Sequence, residues 1–154
     1  MRDNRGFTMV ELIVVMAILG VLASLALPAF AKIKDKAREV RAMEEIRGLE
    51  KGVGAYSIDH GGALPDDGNL FTDLAMPVLL DPWGHAYVYH KITGASDGQA
   101  RLDPTTTPLN TDYDLYSKGP DGQTSRATDD PTGNGRDDIV RTGNGDYVGM
   151  ASYP

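Results

Sequence analysis

The sequence predicts an α+β fold, in which one long N-terminal helix packs on a small antiparallel sheet of about three strands with a long C-terminal loop region. Three observations predict it. Residues 7–31 are almost entirely apolar, residues 32–60 continue them with helical periodicity, and residues 61–154 are rich in Gly, Pro, Asp and Thr. Short alternating segments separated by turns in that last part are typical of an antiparallel sheet.

Length and composition limit the classes of protein that fit. A chain of 154 residues suits one small domain. The formal net charge of -7 argues against a nucleic-acid partner recruited by electrostatics, so none is expected. There is no cysteine, and therefore no disulfide to stabilise the polar C-terminal part. A bound ion could supply that stability instead.

The apolar segment of residues 7–31 follows a six-residue leader that carries Arg2 and Arg5. As a continuous helix the segment would be about 37 Å long, enough to cross a hydrocarbon core of about 30 Å. Its composition leaves three interpretations open: a signal peptide cut within "ALPAFA" (residues 26–31), a signal anchor, or something more specialised.

Glu11 is the one acidic residue inside this apolar segment. An ionised carboxylate within hydrocarbon costs a few kcal/mol, so its presence indicates a partner or a function. A cut immediately before Phe7 would create an α-amino group one helical turn away. The two charges could then neutralise each other within one chain or between neighbouring chains, which would offset much of the burial cost.

The segment of residues 32–60 is predicted to extend the helix into the folded domain and to end at "HGG", residues 60–62. Its apolar residues recur every three or four positions and predict a face that packs on the domain: Ile33, Ala37, Val40, Met43, Ile46, Leu49, Val53 and Tyr56. The opposite face is charged.

Three segments of the domain, residues 61–154, are predicted strands: "DPWGHAYVYHKI" (81–92, after a turn), "DYDLYS" (112–117) and "DDIVRT" (137–142). The preceding "LFTDLAMPVLL" (70–80) indicates a short helical or irregular connection.

Three stretches of the chain resemble a known superfamily. "RGFTMVELIVVMAILGVLASLALPAF" (5–30) closely resembles the class III signal sequence of type IV pilins and type II secretion pseudopilins. "DPWGHAYVY" (81–89) is similar to the DPWGNPYxY segment of the major pseudopilins, and "YDLYSKGPDGQ" (113–123) to their YDLYSLGADGQ. The chain departs from that pattern in residues 57–80, which lack the expected YPTTxxGLxAL, and in an insertion at 124–135.

The resemblance implies that residues 1–6 are a leader removed by a prepilin peptidase, which cuts after Gly6 and N-methylates Phe7. It implies that Glu11 acts in assembly, and that the helix is interrupted near Gly20 and Pro28, where the segment can open out as subunits pack. A simple kink in a membrane helix is an equally good interpretation of those two residues from the local sequence.

The function that the resemblance implies is that of a structural subunit, not an enzyme, which polymerises into a pseudopilus and helps a type II secretion system to export proteins. The implied partners are further copies of the chain, minor pseudopilins, and an inner-membrane assembly platform with its cytoplasmic ATPase. The chain would cross the bacterial inner membrane once, with its domain in the periplasm, and then enter a periplasmic or cell-surface filament. A type IV pilin for adhesion or motility is the alternative. A membrane-anchored periplasmic enzyme or binding protein is disfavoured because no P-loop, nucleophile elbow or zinc-protease motif occurs.

Calcium is the cofactor that the C-terminal part suggests. Ca²⁺ prefers six to eight oxygen ligands, which carboxylates and carbonyls of a Gly-rich loop can supply. Carried over from the pseudopilin pattern, the side-chain ligands would be Asp121, Asp137 and Asp138. The carbonyls of Lys118 and Gln123 would complete the site.

Overall fold

A computed structural model of the protein describes residues 7–94, 97–128 and 130–152. The chain divides into two compact units, residues 1–37 and 38–154. Its elements are the helices α1 (Met9–Asp59) and α2 (Leu70–Asp73) and the strands β1 (Val88–Lys91), β2 (Tyr113–Ser117), β3 (Ile139–Thr142) and β4 (Tyr147–Met150). The predicted α+β fold, a long helix with a small antiparallel sheet, is confirmed.

Helix α1 is continuous over 51 residues and passes through both Gly20 and Pro28 without a break. The interruption predicted at these positions is therefore not a feature of this single subunit, and the opening of the helix on packing remains a prediction about assembled copies. Helix α1 ends where Gly61 and Gly62 take positive φ angles of 64° and 93°, and the Gly62 amide donates to the Ser57 carbonyl. The predicted stop at residues 60–62 is confirmed.

The N-terminal unit exposes its apolar side chains. Phe7 is 90% exposed, and every residue from 7 to 37 is exposed. Among the described residues, α1 is the one helix that is long and apolar enough to cross a membrane. Ile33 and Ala37, which were predicted to lie on the packing face, are exposed as well.

The core of the second unit lies between α1 and one face of the sheet. Ala42, Ile46, Leu49 and Val53 of α1 are buried, and they belong to one cluster with Tyr87, which precedes β1, and with residues of the sheet: Tyr89, Tyr113, Leu115, Ile139 and Val148. Of the predicted helical face, Ile46, Leu49 and Val53 are buried, Met43 and Tyr56 are half-buried, and Val40 is 43% exposed. Arg141 of β3 reinforces this packing, because its Nε donates to Glu50 Oε1 of α1 at 2.9 Å.

The sheet is an antiparallel meander with the strand order β1-β2-β3-β4. The register places Tyr89 opposite Leu115, Tyr116 opposite Val140 and Arg141 opposite Val148. Strands β1 to β3 lie within the three predicted segments. The structure adds β4, which joins β3 through a tight turn at Gly143–Gly145.

The second face of the sheet is covered by loops. Asp114 of β2 is buried there, and its Oδ2 accepts a hydrogen bond from the Arg101 amide at 2.6 Å. Leu102 forms isolated bridges with Pro108 and with Ala127 of the inserted segment. The insertion after residue 123 therefore pairs with the loop segment that carries Arg101.

Candidate functional site

The first turn of α1 is closed by reciprocal hydrogen bonds between Thr8 and Glu11. The Glu11 amide donates to Thr8 Oγ1 at 3.2 Å, and Glu11 Oε2 accepts from the Thr8 amide at 2.8 Å and from the Thr8 hydroxyl at 2.7 Å. This is a capping box, which satisfies two amides that a helix N-terminus leaves unpaired. The carboxylate predicted to act in assembly is thus held within its own subunit, one turn from Phe7. Gly6 lies outside the described residues.

The C-terminal candidate site begins at the turn after β2. The Asp121 amide lies 3.4 Å from Asp137 Oδ2, and Asp121 Oδ1 accepts from the Gln123 amide at 2.8 Å. Burial raises the pKa of the Asp137 carboxyl above its ordinary value, and the Asp121 carboxylate raises it further. The structure therefore brings two of the three predicted acidic ligands together, in a pair that repels itself.

Asp138, the third predicted acidic ligand, is fully buried and faces a different partner. Its Oδ2 lies 2.7 Å from Arg101 Nη1 and accepts from the Thr124 hydroxyl at 2.6 Å. The guanidinium of Arg101 also lies over the Tyr116 ring, 4.3 Å from its centroid. One oxygen of Asp138 is therefore neutralised by a cation that belongs to the protein itself.

Two carboxylate oxygens in this region are buried without a hydrogen-bond partner, Asp137 Oδ1 and Asp138 Oδ1. Buried polar atoms are almost always paired, so two such oxygens on neighbouring residues fit a cation as the missing partner. Within the described part of the chain, however, no three acidic or histidine side chains converge closely enough to hold a metal by themselves. A cation here would depend on carbonyl oxygens, and Lys118 and Gln123 lie in the same turn.

Comparison with known proteins places the sequence in a family. A family model described as the prokaryotic N-terminal methylation motif matches residues 1–27. The type II secretion system core protein G of Escherichia coli K12 is 31% identical over 137 residues, which cover 78% of this chain and 84% of that protein. The core protein G of Dickeya chrysanthemi is 33% identical and that of Aeromonas hydrophila 30% identical, and the matches cover 87% and 93% of the lengths of these two proteins.

The chain belongs to the type II secretion system core protein G family. The resemblance that its three motifs indicated is thereby confirmed over most of the chain. No significant match occurs among solved structures.

The two internal motifs of the family meet in the folded domain. His85 of the "DPWG" segment places its Nδ1 3.1 Å from the Gly119 carbonyl oxygen in the segment "YDLYSKGPDGQ". A side chain at Gly122 would collide with the same ring, since a Cβ there would lie 2.6 Å from His85 Nε2. His85 therefore lies directly against the turn that carries Asp121.

Sequence reasoning missed His85 and Arg101 as neighbours of the candidate site. The position of His85 in a segment similar to DPWGNPYxY was a usable signal, because it stands where the major pseudopilins have Asn. Arg101 gave no signal, since nothing around it in the sequence indicates that it pairs with Asp138. These two side chains fix the loops on either side of the acidic pair.

Proposed function

We propose that this chain is the subunit of a pseudopilus, which assembles from many copies and drives protein export by a type II secretion system. The observation that carries the proposal is the identity of 30–33% to core G proteins over at least 84% of their lengths. The exposed apolar half of α1 supports it, because such a surface requires a membrane or other helices around it.

Maturation by a prepilin peptidase is part of the proposal. Arg2 and Arg5 would keep the leader on the cytoplasmic side, so that the domain faces the periplasm. Cleavage after Gly6 would create the α-amino group of Phe7, which the same enzyme would methylate. The match of the N-terminal methylation motif to residues 1–27 supports this step.

Glu11 would then bind a neighbouring subunit during assembly. Its hydrogen bonds with Thr8 keep a carboxylate in the apolar segment partly compensated before assembly. The α-amino group of a neighbouring Phe7 is a stronger partner in a low-dielectric environment, because it adds a full opposite charge. Exchange of the internal partner for that amino group would favour the packed state.

The energy for assembly would come from partner proteins. The sequence carries no nucleotide-binding motif, so a cytoplasmic ATPase acting through an inner-membrane platform would drive growth. Minor pseudopilins would contribute further subunits. The work of this chain would then be structural.

We further propose that the turn after β2 holds Ca²⁺ through Asp121, Asp137 and Asp138 and the carbonyls of Lys118 and Gln123. The acidic pair and the two unpartnered buried oxygens support this assignment. When bound, the ion would neutralise carboxylates that otherwise repel one another. Asp121 and Asp137 would join the turn after β2 to the start of β3, while Asp138 stays anchored to Arg101.

Replacement of Glu11 tests the assembly proposal. Glu11→Ala should still insert into the membrane and lose its leader, so that mass spectrometry of the purified variant finds an N-terminus at Phe7. Filament formation and export of the secreted substrate should be lost. Glu44→Ala, which removes an exposed carboxylate farther along α1, should assemble normally. Normal filaments from Glu11→Ala would contradict the proposed role.

Deletion of the gene distinguishes a pseudopilin from a type IV pilin. If the chain forms long surface filaments and the deletion strain still exports its substrate normally, the type IV pilin is favoured.

A further inference from the structure

His90 of β1 lies between two carboxylates that belong to different loops. Its Nδ1 is 2.6 Å from Asp67 Oδ2, in the segment before α2, and its Nε2 is 3.1 Å from Asp97 Oδ1, in the loop after β1. The side chain is 14% exposed. Both ring nitrogens of a largely buried histidine thus face an acidic oxygen.

Each carboxylate is fixed by bonds to backbone amides. Asp67 Oδ1 accepts from the Lys91 amide at 2.6 Å. Asp97 accepts from the amides of Thr93 and Gln99 at 3.0 and 2.8 Å. An ionised carboxylate only accepts hydrogen bonds, so the protons in the two contacts to the ring come from His90.

A neutral imidazole carries one N–H group, and its other nitrogen is an acceptor. In the neutral form one of the two contacts would therefore set a nitrogen lone pair against a carboxylate oxygen. Only the imidazolium, which donates from both nitrogens, satisfies Asp67 and Asp97 together. The geometry is that of a charged clasp and not of an ordinary neutral histidine.

The other charged groups around the ring have hydrogen-bond partners of their own. Asp114 lies opposite His90 on β2, and its carboxylate accepts from Arg101 N and Asn110 Nδ2. Lys91 Nζ pairs with Asp66 at 3.0 Å, and Arg126 Nη2 donates to the Asp97 carbonyl at 3.1 Å. Each of the four carboxylates around the ring has a hydrogen-bond donor other than His90, and Asp67 Oδ2 and Asp97 Oδ1 are the oxygens that contact the ring.

We propose that His90 is a pH-sensitive clasp, which in its imidazolium form fastens the segment before α2 to the loop after β1. As the pH rises it loses one of its two hydrogen bonds, so the ring no longer joins the two loops. The clasp fixes one wall of an open cavity of about 480 Å³, because Asp67 precedes Gly68, which lines that cavity with Leu70, Phe71, His85 and Lys118. Opening would change a surface of the domain while the core between α1 and the sheet stays packed.

The direction of the pH dependence follows from the contacts. Burial lowers the pKa of His90, but the hydrogen bonds with Asp97 and Asp67 outweigh it and raise the pKa above the ordinary value of 6.5. A histidine whose pKa is raised by folding contributes stability that is fully present below its unfolded pKa and is lost as the pH rises through its folded pKa. The clasp is therefore closed below the folded-state pKa of His90 and opens as the pH rises through it.

The test is a titration of the three histidine rings by NMR in the full chain, labelled at histidine and held in detergent micelles. We expect the His90 signals to titrate above 6.5 and Asp67→Asn to lower that midpoint. His60→Gln, which removes an exposed histidine, assigns one of the other signals and should leave the His90 midpoint unchanged. A midpoint at or below 6.5, or one that Asp67→Asn does not move, would overturn the proposal.

Unfolding by denaturant provides a second measurement, with the fluorescence of Trp83 as the signal. The free energy of unfolding of the unmodified chain should fall as the pH rises through the His90 midpoint, and His90→Gln should lack that component. The same pH dependence in His90→Gln would reject the clasp. If His90→Gln does not fold, the ring titration of the unmodified chain still decides.

Discussion

The guanidinium group of Arg101 joins Thr124 of the inserted loop to Asp138. Its Nη1 contacts both Asp138 Oδ2 and the Thr124 hydroxyl, at 2.7 and 2.6 Å, in a site where both charged side chains are almost completely buried. A buried ion pair adds little net stability compared with apolar residues, yet removal of one partner leaves an uncompensated charge. The loss of Arg101 should therefore cost far more than the loss of a surface arginine.

Arg101→Met should lower the free energy of unfolding by about 3–5 kcal/mol, because Asp138 would remain buried without its cation. Denaturant unfolding of the full chain in detergent, followed by Trp83 fluorescence, measures this change. Arg41→Met is the matched control, since Arg41 is 65% exposed and pairs with Glu45 on the surface of α1. The control should unfold with nearly the same free energy as the unmodified chain, because an exposed ion pair contributes little. A loss below about 1 kcal/mol for Arg101→Met would contradict the role given to this side chain.

Individual residues were predictable from sequence only where their context made them stand out. Glu11 is conspicuous because a carboxylate in an apolar segment needs a reason. The proximity of Asp121 and Asp137 followed from the family pattern. Arg101 and His90 were not predictable, because their partners are distant in sequence and the loops that bring them together have no periodicity.

Helix α1 has an exposed apolar part and a part that packs in the core. Its N-terminal part exposes apolar side chains, and its C-terminal part buries Ala42, Ile46, Leu49 and Val53 in the core. The buried residues recur at spacings of three and four, so they form one face. This face is what holds the sheet to the helix.

Ile46→Ala should reduce the free energy of unfolding by about 2–5 kcal/mol, because Ile46 is fully buried and truncation leaves a cavity between α1 and the sheet. Ile58→Ala is the control within the same helix, since Ile58 is 82% exposed, and it should change stability by about 0.5 kcal/mol or less. The comparison uses thermal or denaturant unfolding in detergent. Equal losses in the two variants would mean that the packing face is wrongly assigned.

The elements differed in how well sequence predicted them. The length and periodicity of α1 predicted its extent and its end, and the tyrosine-rich segments predicted β1 and β2. Strand β4 was not predicted from the sequence, because "YVGM" is short, contains Gly149 and follows β3 after a tight turn. It forms because β3 offers a partner edge and Val148 completes the core, and both are tertiary effects.

Bound Ca²⁺ would increase the free energy of unfolding of the folded domain as a whole. An ion that binds only the folded state stabilises it by about 2.7 kcal/mol at 100-fold excess over its dissociation constant, which raises the midpoint of a small domain by several degrees. The domain has no disulfide and a core limited to one face of α1, so this contribution would be a large fraction of its total.

Thermal unfolding of the full chain in detergent should shift to a lower midpoint when excess chelator replaces millimolar Ca²⁺. Asp121→Ala should unfold with nearly the same midpoint in both buffers, because it lacks a ligand. Asp59→Ala, an exposed carboxylate at the end of α1, should respond as the unmodified chain does. Equal midpoints for the unmodified chain in the two buffers would reject the calcium assignment and leave the family assignment intact.

The strand order β1-β2-β3-β4 has a consequence for how the domain forms. Each strand pairs with its neighbour in the chain, so the sheet can grow by addition at one edge and no strand has to enter between two strands already paired. Helix α1 and its packing face are synthesised first, which provides a template on which successive hairpins can condense. A chain delivered N-terminus first would therefore never have to undo structure to complete its fold.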